Sequence, residues 1–357
     1  MKLWVVKIGT NAILDAAGNF DAAVAKNLAR GISFLKSQKI ATILVSSGAV
    51  GAAKNLLNFC EWGKLKKIEA AQIKSAVGQP ILLKKYAKIF RGENLVVAQC
   101  LLTRADFASR DRYRAVKNIF QKMIALGVVP IVNENDFLTP EELDFSDNDQ
   151  LATFVAGLLS AEKMILLSNV DGFFSENPKN PTAKKFDEIA EILPAHEKCV
   201  AAEKSKNGLG GMASKLAAAK IAAKLGTEMI LGNSRAENIL QKIFRGDKIG
   251  TKFLPTAKKR ASEKRVFLAA GAHERGKIVL DCPLENFLKK KKTGVSILGV
   301  GVKKIFGDFE KGDPVGIFSE KNKKLGAGLA KISAEKMREN RGKKGEIFFH
   351  ADEIFWL

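Results

Sequence analysis

Short apolar runs alternate with longer segments of helical periodicity along the first two thirds of the chain. The runs resemble buried strands, and the longer segments repeat apolar residues three and four positions apart, as amphipathic helices do. The predicted strands are Val5–Ile8, Ala41–Val45, Leu95–Leu102, Val128–Val132, Lys163–Leu167 and Met229–Leu231. The predicted helices are Ala22–Lys36, Gly48–Leu57, Lys66–Phe90 (one or two helices), Arg114–Leu126 and Ser214–Lys224. This alternation predicts an α/β domain with an open, mostly parallel sheet sandwiched by helices.

The pattern changes after the basic stretch Lys258–Arg260. Short strands separated by turn signals follow, which is typical of a small β-barrel. They are predicted at Arg265–Leu268, Lys277–Leu280, Gly299–Ile305, Pro314–Phe318, Lys324–Ile332 and Glu346–Phe349, with a single helix at Leu284–Lys290. The sequence therefore predicts two domains, residues 1–258 and residues 264–357.

The composition indicates a globular protein. A chain of 357 residues is too long for one ordinary core, and its hydrophobic content of 46% is too high for a disordered one. Its apolar runs all fall short of the ~20 residues that a membrane-spanning helix needs, so we expect no membrane partner. The four cysteines form no CxxC pair of the kind that binds zinc or cycles between redox states. We therefore expect reduced thiols and a cytoplasmic location.

The net charge of +21 raises the alternative of a nucleic-acid-binding protein. The basic excess is spread over both predicted domains, and Lys289–Lys292 is one of few local concentrations. A diffuse excess favours lysine-rich solvated surfaces over a groove for a polyanion. It would also attract small acidic substrates.

Two polar clusters follow one another closely in the middle of the chain. Asn133–Asp136 directly follows a predicted buried strand, and Asp147–Asp149 opens a helical pattern. Each cluster alone could be a turn or a helix cap, because Asn and Asp favour both. Together they favour a binding site at the carboxyl edge of the sheet, where amides and carboxylates can hold a zwitterion.

Three glycine-containing turns have backbone N–H groups that could hold phosphate: residues 7–11, 46–51 and 208–215. None matches a P-loop or a dinucleotide fingerprint, but two of them carry a lysine, Lys7 and Lys215. The three together indicate a nucleotide with a transferable phosphate. The three histidines lie outside these loops and pair with no nucleophile motif, which disfavours a hydrolase.

The motifs VVKIGTN, VSSGAVGA, LLTRADF, PIVNEND, DNDQLA, LLSNVDGFF and GLGGMASKLAAA occur in this order along the chain. With them the chain resembles the amino acid kinase family, in the branch that phosphorylates glutamate for proline synthesis and carries a C-terminal PUA domain. The resemblance implies an amino acid kinase fold for residues 1–258 and a PUA-like barrel for residues 264–357. It implies ATP and L-glutamate as substrates, Mg²⁺ on the nucleotide, and γ-glutamyl phosphate and ADP as products.

The resemblance also implies roles for individual residues. The implied catalytic residues are Lys7, Lys215 and Asp149, and the implied glutamate-binding residues are Ser47, Asp136, Asn148 and Asn133. The implied nucleotide-binding residues are Lys7, Gly9, Ser168, Asn169, Leu209, Gly210, Gly211, Met212 and Lys215. No residue is assigned to a metal. The chain has Ser168-Asn169 where the family usually has Thr-Asp, and Leu209 where it usually has Thr, so both departures fall on the nucleotide side.

Several partners follow only from the resemblance. They are proline as a feedback inhibitor, further copies of the same chain, and a glutamyl phosphate reductase that would receive the product. Relatives with the same fold phosphorylate aspartate, acetylglutamate, carbamate or uridylate, and these remain alternative activities. An RNA-binding function through the PUA-like domain is the alternative from another class, disfavoured by the lysine and carboxylate positions of the larger domain.

Overall fold

The computed structural model describes residues 2–15, 17–53, 65–138, 147–201, 211–257, 259–290 and 294–357. The strands of the α/β part are β1 (Lys2–Ile8), β2 (Ile40–Ser46), β3 (Val96–Leu102), β4 (Val128–Glu134), β5 (Lys163–Ser168), β6 (Phe173–Phe174), β7 (Lys185–Phe186), β8 (Glu188–Ile189), β9 (Glu228–Asn233) and β10 (Thr251–Phe253). Eight of them form one sheet in the order β3-β4-β2-β1-β5-β9-β10-β8. All neighbours are parallel except β9 and β10, so the prediction of a mostly parallel sheet is confirmed.

Helices connect these strands. They are α1 (Thr10–Ile13), α2 (Ala22–Ser37), α3 (Ala49–Ala52), α4 (Lys67–Arg91), α5 (Ala105–Ala108), α6 (Arg110–Ala125), α7 (Asn148–Leu158), α8 (Pro194–Ala201), α9 (Met212–Leu225) and α10 (Ile239–Arg245). The segment predicted as one or two helices is the single helix α4. Of the helix predicted at Gly48–Leu57, α3 accounts for Ala49–Ala52, and residues 54–57 lie outside the described ranges.

The apolar pattern of α2 explains how a helix covers the sheet. Its N-cap Asp21 accepts hydrogen bonds from the backbone N–H groups of Ala23 and Val24, each at 3.1 Å. These bonds satisfy two of the donors that the start of a helix leaves free. Its buried apolar face packs with the strands in one core and includes Val24, Leu28, Ile32 and Leu35.

The turns after the parallel strands are fixed by backbone hydrogen bonds to neighbouring strands. Gly9 donates to the Leu167 carbonyl at 3.3 Å, and Ser47 donates to the Ile8 carbonyl at 3.1 Å. Since β1, β2, β4 and β5 run in the same direction, the polar residues at their carboxyl ends reach the same edge of the sheet.

The C-terminal part has its own strands and core. Its strands are β11 (Gly276–Leu280), β12 (Ile297–Leu298), β13 (Val302–Gly307), β14 (Pro314–Phe318), β15 (Lys324–Leu329), β16 (Ile347–Phe349) and β17 (Ile354–Trp356), and its helices are α11 (Glu263–Ala269), α12 (Cys282–Lys290) and α13 (Ala334–Glu339). Five strands form a sheet in the order β13-β11-β14-β15-β17, in which only β11 and β14 are parallel, and β12 pairs with β16.

Three predictions for this part were wrong. The segment Arg265–Leu268 is helical, because a run of consecutive apolar residues fits a buried helix as well as a strand. A single helix was predicted, but α11 and α13 occur in addition to α12. The strand predicted from Gly299 begins only at Val302, after a 3₁₀ turn. Gly299 is required in that turn because a Cβ there would lie 2.6 Å from the Asn340 carbonyl oxygen.

The chain forms two compact units, Met1–Asp106 with Arg114–Arg260, and Phe107–Tyr113 with Ala261–Leu357. The second unit thus includes seven residues from the middle of the chain. Phe107 and Tyr113 are buried there, and the Tyr113 ring packs edge-on against Phe267 with centroids 5.8 Å apart. Arg110 donates to the Gly312 carbonyl at 2.6 Å. Within the described ranges, no helix has the length and apolar character needed to cross a bilayer.

We expect Gly78→Ala to destabilise the first unit. A Cβ at Gly78 on α4 would lie 1.8 Å from the carbonyl oxygen of Ala49, the first residue of α3, and a backbone atom cannot rotate away. The free energy of unfolding should fall by about 1–3 kcal/mol or more, measured by urea denaturation. Gly92→Ala at the end of the same helix is the control, because its φ of −62° suits alanine, and it should change stability by less than about 1 kcal/mol. Equal effects of the two variants would contradict the predicted clash.

Candidate active site

Asp149 lies at the centre of a buried ion-pair cluster. It is in the first turn of α7, and its side chain is fully buried. Its carboxylate pairs with the ammonium groups of Lys7, near the end of β1, and Lys215, in the first turn of α9, the latter at 3.1 Å. Lys7 Nζ also lies 3.8 Å from the Asp147 carboxylate. Two cations from distant segments are therefore held side by side on one anion.

The two aspartates of this cluster have opposite pKa shifts. Burial acts to raise the pKa of Asp149, but the charges of Lys7 and Lys215 outweigh it and hold that pKa below the usual value. Burial and the neighbouring Asp149 charge raise the pKa of Asp147, and Lys7 only partly opposes them. Asp149 is therefore the ionised carboxylate that anchors both lysines at neutral pH.

A cluster of amides and a hydroxyl adjoins the ion pairs. Asn148 Nδ2 donates to Ser47 Oγ at 2.9 Å and to Asn133 Oδ1 at 2.8 Å. The other side-chain atom, Asn148 Oδ1, is buried and has no hydrogen-bond partner among the described residues. An unsatisfied buried acceptor typically costs about 1–3 kcal/mol, so this oxygen is suited to a ligand that brings a donor, such as an ammonium group.

Two polar residues of α4 complete this side of the site. Ser75 Oγ donates to Asp136 Oδ2 at 2.5 Å, and Gln79 Nε2 donates to the Glu134 carbonyl at 3.3 Å. Both side chains are buried and lie one helical turn apart. Neither residue was among those predicted from the sequence, although two polar residues at this spacing on the buried face of a helix are a recognisable signal.

The described residues among those expected to bind nucleotide lie at the ends of β1 and β5 and at the start of α9. A Cβ at Gly9 would lie 3.6 Å from Lys7 Nζ, so this turn passes close to the ammonium group. Ser168 ends β5, where its Oγ accepts from the Val170 N–H at 3.3 Å, and Asn169 is exposed. Gly211 caps α9, whose first residue is Met212. Leu209 and Gly210 lie outside the described residues.

Asp147 and Asp149 are the carboxylates of the ion-pair cluster that a nucleotide-bound Mg²⁺ could meet. In the part of the chain that the structure describes, no three His, Cys, Asp or Glu side chains are grouped so that they could hold a metal ion. Mg²⁺ in kinases is usually held by phosphate oxygens, waters and one or two carboxylates. Asp147 is the better candidate for such a contact, because Asp149 is already paired with both lysines.

Sequence comparison places this geometry in a known family. A profile described as "Amino acid kinase family" matches residues 2–233. The chain belongs to the amino acid kinase family. A second profile, for the PUA domain, matches residues 276–348, so the resemblance seen in the sequence motifs is confirmed for both parts of the chain.

Curated relatives match this family member over nearly their whole length. A "Glutamate 5-kinase" of Thermoanaerobacter sp. (strain X514) is 36% identical over 341 residues, covering 95% of this chain and 90% of the relative. A "Glutamate 5-kinase 1" of Bacillus licheniformis is 36% identical over 351 residues, covering 98% and 95%.

Two solved structures of low sequence identity have a similar fold. Isopentenyl phosphate kinase matches with a TM-score of 0.50 at 18% identity, covering 70% of this chain and 99% of that chain. UMP kinase from Ureaplasma parvum matches with a TM-score of 0.50 at 14% identity, covering 71% and 98%. At this identity the likeness concerns the fold alone.

We expect Lys7→Met to destabilise the protein in a pH-dependent way. The variant leaves buried Asp149 with one cation, which typically costs about 3–5 kcal/mol at neutral pH. In the parent protein the lowered pKa of Asp149 adds stability above its unfolded pKa of about 3.9, and this stability is lost as pH falls through the folded value. In the variant the pKa of Asp149 should rise, so protonation relieves the unpaired charge at a higher pH.

Urea denaturation from pH 7 to pH 4 measures this effect. The difference in unfolding free energy between parent and variant should narrow as pH falls. Lys2→Met is the matched control on the same strand, because Lys2 is exposed and its partner Glu162 lies 3.8 Å away. It should have little effect at any pH. A difference for Lys7→Met that widens toward pH 4 would contradict the assigned ion pairs.

Proposed function

We propose that this protein transfers the γ-phosphoryl group of ATP to the side-chain carboxylate of L-glutamate, forming γ-glutamyl phosphate and ADP. The observation that carries the proposal is the pair of lysines, Lys7 and Lys215, anchored on buried Asp149 beside an amide cluster. Relatives named as glutamate 5-kinases, similar over nearly the full chain, support glutamate as the acceptor.

The chemistry requires positive charge and positioning more than acid–base catalysis. An oxygen of the ionised glutamate carboxylate forms a bond to the γ-phosphorus, and the bond from that phosphorus to the bridging oxygen breaks with its electron pair leaving on ADP. The acceptor is already deprotonated, so no general base is needed. Lys7 and Lys215 stabilise the charge on the transferring group, and Asp149 fixes both ammonium groups beforehand, so little reorganisation is needed.

The amide cluster is suited to hold the amino acid. Since Ser47 Oγ accepts a hydrogen bond from Asn148, its own hydroxyl hydrogen can donate to a carboxylate of the substrate. Asn148 Oδ1 and the Asp136 carboxylate are acceptors for the substrate ammonium group. Asn133 orients Asn148 by accepting the hydrogen bond from its second amide N–H.

Nucleotide binding is proposed for the turns that surround the lysines. Backbone N–H groups in these glycine-containing turns would contact the phosphates, and Mg²⁺ carried by the nucleotide would neutralise part of their charge. The residues assigned are Gly9, Ser168, Asn169, Leu209, Gly210, Gly211 and Met212, in addition to the two lysines. All of them precede residue 258, so we assign catalysis to residues 1–258 and treat residues 264–357 as a PUA-like domain outside the chemistry.

Other partners stay predictions from family resemblance. They are inhibition by proline, assembly of several copies, and delivery of the product to a glutamyl phosphate reductase in the cytoplasm. Delivery of the product to a reductase fits the chemistry, because an acyl phosphate hydrolyses readily unless a following enzyme consumes it quickly.

We expect glutamate to be preferred among acceptors. A shorter or uncharged side chain would leave polar groups of the site unpaired, at about 1–3 kcal/mol each. In an ADP-release assay with a panel of amino acids, kcat/KM for glutamate should exceed that for aspartate and for glutamine by ~10-fold or more. Equal turnover with aspartate would overturn the acceptor assignment while leaving the kinase assignment intact.

Lys215 and the amide cluster should affect different kinetic constants. Lys215→Ala should lower kcat by roughly 10²-fold or more with a much smaller change in the KM for glutamate, because its charge acts on the transferring group. Asn148→Ala and Asp136→Ala should mainly raise that KM. Lys220→Ala is the matched control on α9, since Lys220 pairs with Glu197 on the protein surface and should leave both constants unchanged. Unchanged kcat in Lys215→Ala would contradict the mechanism.

A further inference from the structure

A cavity of about 500 Å³ lies at the end of the sheet opposite the candidate active site. It is lined by the first residues of β2 and β4, by the last turns of α2, and by the turn between α6 and β4. The candidate active site lies at the carboxyl ends of the same strands. The cavity therefore belongs to a different part of the first unit, and its volume is within the range of small-molecule sites.

Apart from two lysines, the walls of the cavity are aliphatic with one buried hydroxyl. Ile32, Ile40, Ile124 and Val129 are buried apolar residues that line it. Thr42 also lines it and is only 5% exposed, yet its Oγ1 has no hydrogen-bond partner within the described ranges. Thr42 lies between Ile40 and Leu44 on the apolar face of β2, where valine would fill the same space without an unsatisfied hydroxyl. A ligand that accepts a hydrogen bond would satisfy this group.

The charged residues that line the cavity are two lysines. Lys36, in the last turn of α2, donates to the Gly127 carbonyl at 3.3 Å, and Lys39 lies in the turn before β2. No carboxylate lines the cavity, and in the part of the chain that the structure describes neither lysine has an ion-pair partner. Lys39 also has a backbone φ of +59°, a conformation in which glycine or asparagine would be less strained. Two unneutralised cations thus border an apolar space.

We propose that this cavity is a second ligand site, which binds a small monocarboxylate with an apolar body. The aliphatic walls accommodate the body, the ammonium groups of Lys36 and Lys39 attract the carboxylate, and the Thr42 hydroxyl donates a hydrogen bond to it. The inference is independent of the acceptor specificity of the active site, because it uses none of the same residues.

Octanoate is the probe for this site, and isothermal titration calorimetry on the full chain is the measurement. Octanoate should bind saturably with one molecule per chain, and octanamide, which has the same body without the charge, should bind at least about 10-fold more weakly, the scale of one lost charged contact. Saturating glutamate should leave octanoate affinity unchanged, since the two sites lie at opposite ends of the sheet. Displacement of octanoate by glutamate would overturn the proposal.

Substitutions of the exposed lysines test the site without destabilising the fold. The double variant Lys36→Met/Lys39→Met should weaken octanoate binding by about 10-fold or more. The matched control is Lys26→Met, on an exposed position of the same helix, and it should bind octanoate as the parent does. Thr42→Val, which keeps the side-chain shape, should weaken binding by a smaller factor. Absence of saturable binding, equal binding of octanamide, or equal binding by the double variant would each overturn the proposal.

Discussion

A buried carboxylate loses its hydration and needs cations beside it to stay ionised. In the first unit, Asp149 is such a carboxylate. Burial disfavours its charge, and only the ammonium groups of Lys7 and Lys215 keep its pKa low. Lys7 is on the central strand β1, and Lys215 is on a helix 66 positions further along the chain than Asp149. The ion pairs therefore hold β1, α7 and α9 in one arrangement, because separating them would leave a buried charge unpaired.

The same arrangement determines the polar groups next to the ion pairs. Three consecutive residues at the start of α7 have different tasks: Asp147 caps the helix, Asn148 joins Ser47 to Asn133, and Asp149 anchors the lysines. A helix that began one residue later would misdirect all three. The position of the helix start is thus as important to the site as the identity of its side chains.

The α/β fold and the polar edge of the sheet could be predicted because apolar periodicity is strong there and parallel strands end on one side. Other features have no such local signal. The helix at 263–269 was mistaken for a strand because consecutive apolar residues lack a period. The contacts that Asp136 and Glu134 make with α4 depend on which face of that helix is buried. Arg110 donates a hydrogen bond to Gly312, which lies 202 positions further along the chain. Tertiary packing alone decides such contacts.

The composition of the second unit has a consequence for how such chains evolve. Phe107 and Tyr113 are 1% and 4% exposed within a unit formed mostly by residues after 260. A gene shortened after that point would still encode these two aromatic side chains, and they would meet water instead of Phe267 and its neighbours. The C-terminal unit is therefore not a module that recombination can add or remove at one junction. Gaining or losing it requires a matching change at 107–113, which predicts that the two stretches are inherited together.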